Sequence, residues 1–381
     1  MNRRLQWIQY TGFITLGFVS SILSPVISSI RADISMTYLE AGMILSGQFL
    51  GILISVPFGG FLADRFGKKQ FLIAGGIALI IGLTGCMLSY SFPALFFFCI
   101  ITGIGNCSYE IGINAMLADY TESESGKAMN YLHFFFGFGA IIAPALATIL
   151  LKTVNSWRLT FAITIILPVL FSTLLISQPV KRVIPENKNG KLGSIYLNPL
   201  LWIFGFAMAA YVGIETSVYS WIPIYWGSVS GFALIPASIT ASFFWITLTV
   251  GRLISGRITD KIGLTRFVLV SSIAVLLVCL CWSIVPGNIV TLLSVFLLGF
   301  LLAGIFPTIM AYITAKFPGN SGKTVAFLMI FSSIGGFFLP SLLGRLADSF
   351  SLRIFPVFLT ILALIMIGFT ASGALYGSKK K

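Results

Sequence analysis

The sequence predicts an all-α integral membrane protein: twelve transmembrane helices in two bundles of six. Three observations predict this. Hydrophobic residues make up 57% of the 381 residues and charged ones only 9%, where a soluble domain carries about a quarter. Mean hydropathy is +1.00, so the chain lacks the polar residues to clothe a water-compatible surface. Apolar runs recur along the whole sequence at the roughly 20 residues a helix needs to cross ~30 Å of hydrocarbon.

The runs fall at 5–30, 39–63, 70–90, 93–118, 127–151, 157–178, 198–226, 232–258, 265–285, 288–315, 322–346 and 352–376. They read as helices because lipid offers no partner to an unpaired backbone group, and a membrane barrel would show short alternating segments. The first run continues into Ser-Pro-Val-Ile-Ser-Ser-Ile without a cleavage-like ending, which reads as a retained helix and not a signal peptide. The longest interior polar stretch, Gln178 to Asn198, divides the runs six and six. The expected organisation is an N-terminal bundle over 1–180, a cytoplasmic linker over 181–197 and a C-terminal bundle over 198–381.

The net charge of +13 invites a nucleic-acid reading, but its distribution opposes it. With the N-terminus in the cytoplasm, all but five of the 24 Lys and Arg residues fall on the inner side. The exceptions are Arg31, Lys152, Arg158, Arg345 and Arg353; Arg252 is assigned to the cytoplasmic rim. This is the positive-inside bias, and it places both termini in the cytoplasm of a cell membrane. The cysteines (Cys86, Cys99, Cys107, Cys279, Cys281) sit inside apolar runs without a Cys-x-x-Cys pair, and such thiols behave as small apolar residues. No disulfide framework, metal site or cofactor is expected.

The halves share a motif. After the second run stands Gly60-Phe-Leu-Ala-Asp64-Arg65-Phe-Gly67-Lys68-Lys69; after the eighth stands Gly256-Arg257-Ile-Thr-Asp260-Lys261-Ile-Gly263. The first Gly would allow close helix approach. The Asp can pair with bases or with a neighbouring helix N-terminus, and the last Gly ends the helix. Together they read as a charged latch at the cytoplasmic rim; the plainer reading is a basic loop placed for topology.

On these residues, GFLADRFGKK above all, the chain resembles the major facilitator superfamily over its entire length. The resemblance implies two six-helix bundles about a central cavity, with alternating access by rocking. Three stretches are similar to the fucose:proton symporter-like permeases: Tyr109-Glu110-Ile-Gly-Ile-Asn114, His133-Phe-Phe-Phe-Gly137-Phe-Gly139-Ala-Ile-Ile-Ala-Pro144, and Tyr211-Val-Gly-Ile-Glu215 with Ser220-Trp221. Two departures stand out. The first run has no Asp or Glu, which weakens any two-carboxylate coupling scheme. The fourth-helix arginine of many proton antiporters is missing between Pro93 and Leu117.

Ionisable groups deep in a membrane helix are costly and are functional candidates by default. Only Glu110 and Glu215 sit well inside apolar runs. Asn106 and Asn114 flank Glu110 at i−4 and i+4, hence on one face. A carboxyl among amides in a low dielectric suits proton exchange near neutrality, and it can bond a solute hydroxyl; the bland alternative is a protonated acid pinning two helices. Glu215 has Tyr211 and Tyr219 one turn either side, a candidate sugar platform to which Trp221 and Trp245 could add, although aromatic residues also favour packed seams. His133, the only histidine, has the titration range of a proton relay or is a packing residue. Gln48 and Asn130 are further polar groups, and Gln48 could line the cavity. The runs Gly137-Phe-Gly139 and Gly335-Gly336, followed by Pro144 and Pro340, occupy matching places and serve either sliding or ordinary packing.

The leading function is secondary active transport of a small polar solute, a sugar by the resemblance, coupled to protons through Glu110. The expected partners are the solute, protons and membrane lipid, with the chain acting as a monomer. The alternative is proton-linked efflux of drugs or metabolites, which the 35 phenylalanines would allow, though they are spread over all runs. No GxxxxGKS/T phosphate loop appears, against an ATP-driven pump. One histidine and two separated glutamates supply no nucleophile–base pair, so the chain is not expected to be an enzyme. The short loops argue against a scaffold.

Overall fold

The computed structural model describes residues 3–118, 125–179, 195–229, 235–317 and 321–378. Among them there is no strand, and twelve helical stretches are long and apolar enough to cross a membrane. The first stretch is α1 (Arg3–Ser21) followed by α2 (Leu23–Ile34). Next come α3 (Tyr38–Phe66), α4 (Lys68–Leu88), α5 (Phe92–Ala118), α6 (Ser125–Thr153) and α7 (Trp157–Ile176). The second half holds α8 (Pro199–Ser228), α9 (Thr240–Ile262) and α10 (Leu264–Ile284). It continues with the pair α11 (Asn288–Leu302) and α12 (Ile305–Lys316), then α13 (Ser321–Phe350) and α14 (Phe355–Ser378).

Both interrupted spans break for the same reason. A proline ring lacks an N–H and collides with the carbonyl four residues earlier. Pro25 therefore ends α1 at Ser21, and Pro307 ends α11 at Leu302. Elsewhere the helices outrun the apolar runs. The second extends from 63 to Phe66 and the eleventh from 346 to Phe350, because helical hydrogen bonding continues through the polar rim residues Asp64, Arg65 and Asp348.

The chain forms two compact units, Met1–Glu186 and Asn187–Lys381. Residues 181–194 of the expected linker lie outside the described residues. Ile195–Leu197 forms a single 3-10 turn, after which Asn198 caps α8 by accepting from the Leu200 N–H at 3.0 Å, with Pro199 in the first turn.

Within each unit the helix pairings repeat. In the first, α1 packs on α6, α3 on α5, and α4 on α5 and α7; in the second, α8 packs on α13, α9 on α11, and α10 on α11 and α14. Membrane helices associate through close packing because lipid is as apolar as their side chains. An added Cβ on Gly51 would run into the Ile100 carbonyl of α5, and one on Gly103 into the Gln48 carbonyl of α3. In the second unit Gly299 meets the Phe244 carbonyl and Gly251 the Phe300 carbonyl. Of the two glycine–proline runs, Gly139 lies against the Ile14 carbonyl and Gly335 against the Ala209 carbonyl.

Polar residues at the helix ends are largely consumed by structure. Thr37 and Glu40 form a reciprocal capping box at the start of α3 (Glu40 N–H to Thr37 Oγ1 3.1 Å, Thr37 N–H to Glu40 Oε2 2.8 Å). On the same rim Arg158 ties three connections together. Its guanidinium lies 2.7 Å from Asp33 Oδ2 and donates to the Ser89 carbonyl at 3.2 Å. It also stacks on Trp157 and Tyr90 at 4.1 and 4.5 Å, and the Trp157 indole N–H donates to Asp33 at 3.1 Å.

Two substitutions test this packing. Gly103→Leu should disrupt the α3–α5 crossing at a cost of at least ~1–3 kcal/mol, read as a lower melting temperature and loss of a monodisperse peak in detergent. Gly60→Ala, where an added Cβ meets nothing within 4 Å, should leave both unchanged. Arg158→Ala should lower the melting temperature in proportion to the loss of the rim tie, an effect that Asp33→Ala reproduces without adding to it.

Candidate functional site

In the first unit the α3–α5 crossing builds a line of amides. Because Gly51 and Gly103 bring the backbones together, Asn106 Nδ2 donates to Gln48 Oε1 at 2.9 Å, with Ser20 Oγ at 3.5 Å. Gln48 Nε2 in turn donates to the Val19 carbonyl at 3.2 Å. Val19 stands in the last turn of α1, where carbonyls lack onward helical partners, so the amide serves the break imposed by Pro25. Asn106 Oδ1 and Asn114 Oδ1 are buried and accept no hydrogen bond among the described residues. Such groups are rare, and here they lie one turn either side of the part-buried Glu110. The face proposed from the i−4, i+4 spacing therefore presents a carboxyl between two open acceptors.

His133 packs edge-on against Phe13 of α1, centroids 5.5 Å apart, which places it in the α1–α6 seam. The side chain of Asn130 lies outside the described residues. One buried group escaped the sequence reading. Gln9 of α1 is 1% exposed, and neither atom of its amide finds a partner among the described residues. Its signal was an amide inside an apolar run, one turn in from Gln6 near the run's start.

The second unit carries an ion pair. Tyr211 donates to Glu215 Oε1 at 2.9 Å, and Arg252 Nη2 stands 3.8 Å from the same oxygen. The assignment of Arg252 to the cytoplasmic rim is thereby corrected: it lies midway along α9, beside Glu215 midway along α8. The sequence signal was present, since Arg252 follows Trp245 by two helical turns on one face. Tyr219 packs on Trp245 with centroids 5.0 Å apart. Tyr211, Tyr219 and Trp245 thus gather around the ion pair. Trp221 does not. Six residues beyond Glu215, it is turned about 120° away around the helix, and it is fully buried.

The shared loop motif is explained in part. Gly67 and Gly263 have φ of +93° and +87°, a backbone region open essentially to glycine alone, and each joins two helices at a sharp corner. Lys68 Nζ donates to the Ala115 carbonyl at 3.1 Å, at the end of α5. Lys69 Nζ donates to the Ile176 and Gln178 carbonyls at 2.9 and 2.6 Å, at the end of α7. Both complete carbonyls that the helices leave open and complement their dipoles. The close-approach role expected of Gly60 and Gly256 is not realised: an added Cβ at either meets nothing within 4 Å. Asp64, Arg65, Arg257 and Asp260 are exposed, with Arg65 near the rings of Phe61 and Phe66.

Among the described residues no three His, Cys, Asp or Glu side chains gather to hold a metal. An apolar groove of about 420 Å³ on the first unit, lined by Ile80, Ile81, Leu88 and Phe98 among others, is surface of the kind acyl chains cover.

The family model for the Major Facilitator Superfamily matches residues 10–340 and again 237–375. The glucose/mannose transporter of Bacillus subtilis is 22% identical, over 94% of this chain and 92% of its own length. The cis,cis-muconate transport protein of Acinetobacter baylyi is 25% identical, over 93% and 87%. Among solved structures, a D-xylose-proton symporter superposes with a TM-score of 0.77 at 17% identity, covering 96% of this chain and 97% of that one. A nucleoside transporter superposes with a TM-score of 0.77 at 15% identity, over 98% and 99%. Twelve spans, repeated pairings in two units, duplicated corner glycines and a family match across most of the length lead to one conclusion: this chain belongs to the Major Facilitator Superfamily of multi-pass membrane transporters.

Proposed function

We propose that the chain is a secondary active transporter of a small hydroxyl-rich solute, of the sugar class, driven by protons through alternating access. It acts as a monomer in a cell membrane with both termini in the cytoplasm, an orientation supported by the Lys and Arg bias. The observation that carries the reading is the Glu110 face. Asn106 Oδ1 and Asn114 Oδ1 are open acceptors, suited to solute hydroxyls, and Glu110 between them can take up a proton or bond a hydroxyl directly. The relatives named for glucose/mannose and for xylose-proton symport support the substrate class, as does the resemblance to fucose:proton symporter-like permeases. Gln48 holds Asn106 in place, and His133 is a candidate relay to Glu110.

The experiment is pH-gradient-driven uptake into proteoliposomes of labelled D-glucose, D-xylose and L-fucose. Glu110→Gln should lower gradient-driven uptake by roughly tenfold or more, the equivalent of ~1.4 kcal/mol in the coupled step, while keeping solute exchange. Asn106→Leu should lose both. Wild-type uptake that ignores the gradient, or a Glu110→Gln protein that matches wild type, would reduce Glu110 to a structural residue.

A further inference from the structure

We propose that Arg252 and Glu215 form a proton-operated anion site: protonation of Glu215 frees the Arg252 guanidinium to hold a carboxylate or similar oxyanion on the transported solute. The inference rests on the reading of the chain as a proton-coupled transporter, and it adds an acidic group to the solute.

The argument begins with cost. An arginine in the middle of a membrane helix is expensive and marks a substrate or ion pathway. The protein already shows what a structural arginine looks like. Arg158 sits 2.7 Å from its carboxylate, donates to a carbonyl and is stacked between two rings. Arg252 is different. Its carboxylate contact is 3.8 Å, beyond the ~2.7–2.9 Å of a charge-assisted hydrogen bond, so Glu215 does not fill the planar fork of donors. Glu215 Oε1 is itself taken by the Tyr211 hydroxyl. A quarter of the Arg252 side chain remains exposed against 12% for Glu215, so Arg252 is the more accessible member of the pair. Its fork matches a carboxylate in two-point geometry, and the adjoining Tyr219–Trp245 pair offers an apolar wall to the body of such a solute.

The charges balance. With Glu215 ionised, the pair is neutral. A proton on the Glu215 carboxyl leaves Arg252 with an uncompensated charge in a low dielectric, and an incoming monovalent anion cancels it. One proton and one anion enter together and the site returns to neutrality. Among the described residues, Arg252 is the charged group beside Glu215. Glu215 is faced by Tyr211 and Tyr219 on α8 and by Arg252 on α9. Of the other helices packed on α8, α11 and α14 carry no charged residue among those described; α12 and α13 carry Lys316, Lys323, Arg345 and Asp348 only near their ends, and the 3-10 turn Leu352–Ile354 carries Arg353, which faces Tyr225 near the far end of α8. Tyr312 of α12 is engaged with Phe204.

The test is equilibrium binding to the purified full-length protein, between pH 5.5 and 8, of gluconate, benzoate and nitrate, with D-glucose as the neutral counterpart of gluconate. At least one anion should bind, tenfold or more tightly at pH 6 than at pH 8, with one proton taken up per anion in weakly buffered solution. Glu215→Gln, fixed in the neutral form, should keep binding and lose the pH dependence; Arg252→Gln should lose the anion. The double variant, again neutral overall, serves as the folding control. Proton uptake by the wild type decides the matter even if a single variant fails to fold. Absence of anion binding at every pH, affinity independent of pH, or wild-type binding by Arg252→Gln overturns the proposal. Failure of sugar uptake alone would instead remove the reading of the Glu110 face and leave these equilibria untouched.

Discussion

A backbone carbonyl or N–H left without a partner in hydrocarbon costs several kcal/mol, and the structure is organised around avoiding that cost. Helices dispose of nearly all such groups internally. Where a helix stops inside or at the edge of the bilayer, one of the few polar side chains meets the exposed carbonyl. Gln48 reaches the Val19 carbonyl near the break before Pro25, and Lys68 and Lys69 reach the ends of α5 and α7. On the other rim Arg158 reaches the end of α4 at Ser89. A chain with 9% charged residues can spare few for function, so the polar groups not consumed in this way are the informative ones.

The acidic residues illustrate the sorting. Glu40 closes a capping box, and Asp33 anchors Arg158 and Trp157. Asp64 and Asp260 stand at exposed helix ends. What remains inside the apolar spans is Glu110 and Glu215, and their surroundings differ in kind. Glu110 lies in a row of amides, two of which have idle acceptors. Glu215 is set against an arginine and a tyrosine beside packed aromatic rings. The two units share pairings, glycine crossings and corner glycines, yet differ in the chemistry placed on that common frame. A duplicated skeleton with diverged polar content suits a carrier, because the skeleton supplies movement and the side chains supply selection.

Much of this was legible in the residues. The number of spans follows from the length of apolar runs, since bilayer thickness imposes a fixed helix length. The repeat after the second and eighth runs pointed to Gly67 and Gly263, whose positive φ accounts for them. The face bearing Asn106, Glu110 and Asn114 follows from helical periodicity. The reading failed where a residue's role depends on a neighbour distant in sequence. Gly60 and Gly256 were assigned a packing role that belongs to Gly51, Gly103, Gly251 and Gly299, because any glycine in a membrane helix looks alike until its opposing backbone is known. Arg252 reads as one more inside base by the charge bias, and although it shares a helix face with Trp245, nothing local says that this face meets Glu215 on the preceding helix.

Sequence by itself therefore determined the class, the spans, the duplicated frame and the candidate acids, because those rest on quantities local to the chain: hydropathy, period and spacing. Only the tertiary structure decided which polar groups meet. It joined Gln48 to Asn106 across a glycine crossing, set Arg252 against Glu215, and turned Trp221 away from both. These pairings depend on how far one helix slides and rotates against another, and that is fixed by the close fit of whole helix faces.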